Sequence, residues 1–237
     1  MLTLLSHGGS GEFYSYSMFC TKAACLLQLS GQPWQRQDMF DPQEMAAMPF
    51  GKLPVLQDEQ GALIPDSEGI RGWLEARGID FDPGLDARQK AQSRLVIRML
   101  DEALWVQVLC ARWLEQDGWE AMLSSVFAGV PEAALTDFRA GVLAGLHFVG
   151  HGRFARDERL RRLDQDLTAL DGVLGDKPYL FGAAMTAADC SAMPMLEAVS
   201  RAPASPSVVA VAQKYPRLLA YVDRVRTTVA LTLPQVA

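Results

Sequence analysis

The feature that most constrains this chain is a change of pattern near residue 80. Before it, short apolar runs alternate with helical periodicity and are broken up by Gly and Pro; after it, apolar residues recur at helical spacing only. Residues 2–5 read as a buried strand. Residues 18–30 place Phe19, Ala23, Leu26 and Leu27 at helical intervals, and Gly31 supplies a stop. Residues 34–40 read as a second strand. Residues 54–57 and 62–64 flank the polar turn Asp58-Glu59-Gln60-Gly61 and predict a hairpin, after which residues 67–76 return to helical spacing through Ile70, Trp73 and Leu74.

A strand–helix–strand unit implies a parallel pair with a right-handed crossover. An antiparallel hairpin and a closing helix added to it give an α/β, thioredoxin-like domain (βαβ then ββα) over residues 1–79. Asp80-Phe81-Asp82-Pro83-Gly84 reads as a linker, and residues 85–237 as an all-α helical domain. In that second part, Leu95, Met99, Leu100, Leu104, Val108 and Trp113 form one helical stripe. Further helices are expected over 155–174, 186–200 and 215–229. Thr186-Ala187-Ala188-Asp189 has the form of a capping box, and Pro216 suits a first helical turn.

Composition narrows the partners. A net charge of -6 and a pI near 5.1 leave no basic face for nucleic acid or for an anionic membrane surface. The N-terminus lacks a basic, then apolar, leader, and charges interrupt every long apolar run. The four cysteines form no CxxC pair and the three histidines have no zinc-ligand spacing, so neither a metal nor a disulfide scaffold is expected. Reduced thiols point to a cytoplasmic location.

Two segments carry chemistry. In Gly51-Lys52-Leu53-Pro54-Val55-Leu56 followed by Pro65-Asp66-Ser67-Glu68, a proline heads a strand and an acid–serine pair opens a helix twelve residues later. A helix start offers unpaired N–H groups and positive potential to a carboxylate, while the bland reading of Asp66 or Ser67 is a helix cap. The other segment is Tyr14-Ser15-Tyr16-Ser17-Met18-Phe19-Cys20-Thr21-Lys22, which leads into the first helix.

Together these segments resemble the glutathione transferase superfamily. Residues 17–22 are similar to its S/C-P-F-C-x-K pattern, with Met18 in place of proline, and Leu174 to Gly182 with Thr186 to Asp189 look like its C-terminal signature. Residues 150–158 and 214–222 are similar to the metaxin and failed-axon-connections branch. The resemblance implies glutathione as co-substrate. Pro54 would be cis at the head of an edge strand, so that Leu53 pairs its backbone with the cysteinyl unit. Lys52 would meet the glycine carboxylate, and Asp66 and Ser67 the γ-glutamyl end. It further implies a thiol activated beside the first helix, by Ser17 or alternatively by Tyr14, Tyr16 or Cys20. The expected activity is attack of the thiolate on an apolar electrophile, in a homodimer that sets the small domain of one subunit against the helical domain of the other. The alternatives are a non-catalytic binding or scaffold protein and a Cys20-dependent thiol reductase. Trp105, Trp113, Trp119, Phe127, Met99 and Met122 would either line an acceptor pocket or form core, and core is the commoner use of such residues.

Overall fold

The computed structural model describes residues 1–9, 11–201 and 203–233. Strand β1 (Leu2–His7) is buried almost throughout and lies at the centre of the small domain. It pairs in parallel with β2 (Trp34–Met39), Leu2 opposite Trp34, and antiparallel with β3 (Val55–Gln57), Leu5 opposite Val55. The hairpin partner β4 (Leu63–Pro65) completes a sheet of order β2-β1-β3-β4. Pro54 therefore heads an interior strand and not the edge strand expected, because β4 folds back over β3 and takes the edge.

Helix α1 (Met18–Ser30) joins the parallel pair. Ser17 caps its start and Gly31, at φ 69°, ends it by donating its N–H to the Gln28 carbonyl. A left-handed residue there is the ordinary way to stop a helix without Cβ strain. Two short pieces that the sequence pattern did not foretell follow β2: α2 (Pro42–Ala46), capped by Asp41, and a 3-10 turn (Pro49–Gly51). Helix α3 (Ser67–Glu75) closes the domain and buries Ser67, Ile70 and Leu74.

The chain turns helical at Asp86, which forms a capping box with Gln89. Helix α4 (Ala87–Arg98) runs on through a π-helical segment (Met99–Leu104), α5 (Trp105–Leu109) and a second π segment (Cys110–Leu114). Leu100, Leu104 and Val108 are fully buried and Trp113 nearly so, as their stripe requires, but Leu95 is 70% exposed. Each π turn adds a residue to the helical cycle and rotates the side chains after it. No 3.6-residue period anticipates that rotation.

Helices α6 (Gln116–Ser124), α7 (Thr136–Phe148), α8 (Arg156–Leu174), α9 (Ala187–Ser200), α10 (Pro206–Ala212) and α11 (Pro216–Val229) follow. One core spans both domains: Leu26 and Leu27 of α1 share it with Leu100, Leu167, Met193 and Val222. Each fully buried leucine there contributes roughly 2 kcal/mol by area removed from water. A separate aromatic cluster joins Trp113, Trp119, Met122 and Phe127, with the two tryptophan rings 5.4 Å apart. These residues are packed against one another as core. Among the described residues no helix is long and apolar enough to cross a membrane.

Candidate active site

The loop between β1 and α1 is wired to itself before it reaches the helix. Gly8 accepts from the Tyr16 N–H at 3.1 Å, the Ser15 hydroxyl donates to the His7 carbonyl at 2.8 Å, and the Ser17 N–H donates to Ser15 Oγ at 3.1 Å. A Cβ on Gly9 would stand 2.4 Å from the carbonyl oxygens of Phe13 and Tyr14, so only glycine allows the loop to fold back this tightly. The loop delivers Ser17, half-buried, to the start of α1. Its Oγ accepts the Cys20 N–H at a long 3.4 Å, which leaves most of the positive end of the helix uncommitted.

The other three candidate hydroxyls and thiols stand differently. Tyr14 is 4% exposed, has Arg36 stacked 4.2 Å over its ring, and among the described residues leaves its phenol oxygen without a hydrogen bond. It lines a cavity of about 440 Å³ with Thr21, Met193, Glu197 and Arg226, on the side of α9 and α11. Burial raises its pKa far above the usual phenol value. Tyr16 is half-buried, and its backbone carbonyl accepts from Arg112 at 2.8 Å. Cys20 is fully buried, its sulfur accepts the His7 N–H at 3.5 Å, and burial pushes its pKa up. Such a thiol stays protonated and poorly nucleophilic.

The second half of the site is built by β3 and α3. The Leu53–Pro54 peptide is cis. Among the described residues, the Leu53 N–H and C=O have no hydrogen-bond partner, although Leu53 itself is 8% exposed. Lys52 is exposed beside it. The Pro54 carbonyl accepts the Asp66 N–H at 3.1 Å, which ties the head of β3 to the start of α3. Asp66, at φ 68°, caps α3 by accepting the Glu68 N–H at 2.8 Å, and Ser67 is buried just inside the first turn. A non-glycine residue at positive φ is uncommon and marks a position the surroundings enforce.

A buried ion network fixes the two helix starts relative to one another. Lys22, 1% exposed on α1, donates to Glu68 at 2.7 Å and to Asp101 at 2.6 Å. Arg94 closes on the other oxygen of Glu68. Burial alone would raise the Glu68 pKa, but Lys22, Arg71 and Arg94 outweigh it and hold the carboxyl below its usual range. Asp101 comes inward from the first π segment. The sequence did not single out this network: Lys22 and Glu68 appeared only as parts of motifs.

Two family models match: the glutathione S-transferase N-terminal domain over residues 18–118 and the glutathione S-transferase C-terminal domain over residues 153–224. The chain belongs to the glutathione S-transferase superfamily. It is 28% identical over 237 residues to the isoprene-epoxide–glutathione S-transferase of Rhodococcus sp. (strain AD45), covering 95% of this chain and 98% of that one. Its fold matches a glutathione S-transferase from Methylobacterium radiotolerans solved with glutathione sulfonate, at TM-score 0.61 and 18% identity over 100% of this chain and 97% of the other. A transferase from Xanthobacter autotrophicus Py2 matches at TM-score 0.60 and 17% identity, over 98% and 96%. In this chain a four-stranded mixed sheet precedes the helical domain. Among the described residues no His, Cys, Asp and Glu cluster could hold a metal.

Proposed function

We propose that this glutathione S-transferase binds glutathione across the starts of α1 and α3 and uses Ser17 to hold its sulfur as a thiolate. The observation that carries the reading is the set of backbone and side-chain groups left open there. Among the described residues, Ser17 Oγ takes the Cys20 N–H only at a long 3.4 Å, the Leu53 backbone has no hydrogen-bond partner, and Asp66 and Ser67 open a second helix beside it. The Leu53 N–H and C=O suit the two-bond pairing an extended peptide makes. The α3 start, with Asp66, suits a carboxylate and an ammonium on one carbon, and exposed Lys52 suits the remaining carboxylate. The Ser17 hydroxyl and the α1 N-terminus lower the thiol pKa by stabilising the negative charge on sulfur.

The second substrate is an apolar electrophile. The Rhodococcus relative is named for isoprene epoxide, and that likeness supports a small epoxide here. Thioether formation from glutathione and an epoxide, followed by mass spectrometry in the wild type and in Ser17→Ala, tests the reading. A loss of turnover with glutathione binding kept is the expected result, and unchanged turnover would remove Ser17 from its role. Tyr14 and Cys20 rank behind it because both are buried with raised pKa values.

The homodimer belongs to the same proposal. Phe50 on the 3-10 turn is 78% exposed at φ 62°, and Leu95 on α4 is 70% exposed. One lies on the small domain and the other on the helical domain, so a second copy could cover both. Sedimentation of Phe50→Asp checks this, with a shift toward monomer expected. Cytoplasmic location is supported by four buried, unpaired cysteines. The likeness of residues 150–158 and 214–222 to the metaxin and failed-axon-connections branch supports a finer placement there. Glutathione binding without turnover of any electrophile would favour the scaffold reading over the enzyme.

A further inference from the structure

Two basic side chains are almost completely buried, and they are treated in opposite ways. Lys22 meets two carboxylates. Arg112, 5% exposed in the second π segment, meets none within 4 Å among the described residues. Its Nη1 donates to the Tyr16 carbonyl at 2.8 Å and lies 3.7 Å from Met18 Sδ, while its buried Nε has no acceptor among the described residues. Tyr16 and Met18 flank Ser17. An uncompensated guanidinium therefore stands alongside the α1 N-terminus, where the thiolate is proposed to form. Burial pushes its pKa down to about 10, so it remains charged near neutral pH. Burying a cation without its counter-ion is costly, and Arg112 also keeps donors in reserve: a guanidinium has five N–H groups in a fixed fork.

We propose that Arg112 is a catalytic residue that receives the oxygen uncovered when the glutathione thiolate opens an epoxide, which makes it the group that selects epoxides as second substrates. The inference rests on the transferase reading above. In the step, a sulfur–carbon bond forms and one carbon–oxygen bond of the three-membered ring breaks. The electron pair of that bond goes to the oxygen, so the negative charge passes from sulfur to oxygen. Arg112 donates hydrogen bonds to that alkoxide, and solvent returns to it the proton lost when the thiol ionised. The sum is glutathione plus epoxide giving a hydroxy thioether. An aryl chloride such as 1-chloro-2,4-dinitrobenzene makes a weaker demand, because the charge of its addition complex is spread over the ring and two nitro groups and its chloride leaves without a donor.

That contrast supplies the experiment. The kcat/KM for 1,2-epoxybutane and for 1-chloro-2,4-dinitrobenzene, each with glutathione, is measured for the wild type, Arg112→Met and Arg112→Lys. Removing a donor from a developing oxyanion costs about a hundredfold or more. Arg112→Met should lose about that factor on the epoxide and a clearly smaller factor on the aryl chloride, whose loss reads the share of the cation in holding the thiolate. Arg112→Lys keeps the charge and should recover part of the epoxide rate. Equal losses on both electrophiles would overturn the proposal and leave Arg112 as a brace for the Tyr16 carbonyl. If Arg112→Met does not fold, Arg112→Lys decides alone: it loses the fork, so a loss confined to the epoxide supports the proposal and an equal loss refutes it. A wild type active on the aryl chloride but not on the epoxide refutes the Arg112 role while leaving the transferase standing. Activity on neither refutes both.

Discussion

At the start of α9, Asp189 accepts from the Leu180 N–H at 3.0 Å, the Thr186 N–H at 2.7 Å, the Thr186 hydroxyl at 2.8 Å and the Tyr221 hydroxyl at 2.7 Å. At the start of α1, Ser17 accepts one bond at 3.4 Å, and at the start of α3 Asp66 accepts one at 2.8 Å. All three use a short polar side chain to cap a helix, yet only the first is fully buried and saturated. A cap whose partners are all internal has nothing left to offer a ligand and serves the fold. Caps that leave N–H groups open, next to the unpaired backbone of Leu53, keep binding capacity in reserve. The same division separates two buried cations, Lys22 with two carboxylates and Arg112, among the described residues, with none.

The sharpest way to break this comparison is to exchange the caps for alanine. Asp189→Ala strands several buried donors and should cost about 3–5 kcal/mol in denaturant unfolding, as removal of one member of a buried charged network does. Asp66→Ala should cost only about 1 kcal/mol, the value of an ordinary N-cap. Equal costs would mean that the α3 start is as structural as the α9 start. Next in size, Ser17→Ala should lower kcat about a hundredfold and cost about 1 kcal/mol in unfolding, as the loss of a cap does. Tyr14→Phe and Tyr16→Phe should leave kcat within about threefold, well short of what a lost transition-state donor costs.

A smaller effect concerns Cys20. Its burial and raised pKa predict that Cys20→Ser retains thioether formation, and that native Cys20 resists alkylation until the protein is unfolded. Rapid alkylation of the native protein would reopen the thiol-reductase reading. The smallest effect is one of pH. The Glu68 carboxyl is held below its unfolded value, so its contribution to stability is present above that value and fades as pH falls through the folded one. Glu68→Gln should flatten that part of the acid limb of a stability–pH curve.

Much of this was legible in the sequence. The α1 boundaries, the hairpin, the capping box at Thr186 and the order βαβ–ββα follow from local periodicity and from Gly, Pro and capping residues. Short, weakly periodic helices were not legible: α2 spans five residues, starts on its Asp41 cap and buries no side chain, and α10 spans seven and buries three, too short in both cases for a helical period to show. Pro54 was placed on an edge because the sequence does not say which side of β3 the hairpin covers. Asp101 and Arg112 were missed for a different reason. Both lie in π segments, where the helical phase slips and a charge that should face solvent turns inward.

The most direct test is calorimetric titration of reduced glutathione into the wild-type protein and into an Asp66→Ala, Ser67→Ala double variant. Saturable binding by the wild type, lost in the double variant while its fold is kept, is the predicted result. No heat of binding up to millimolar glutathione, where the binding free energy falls to about -4 kcal/mol, would contradict the claim that these open helix starts form the glutathione site.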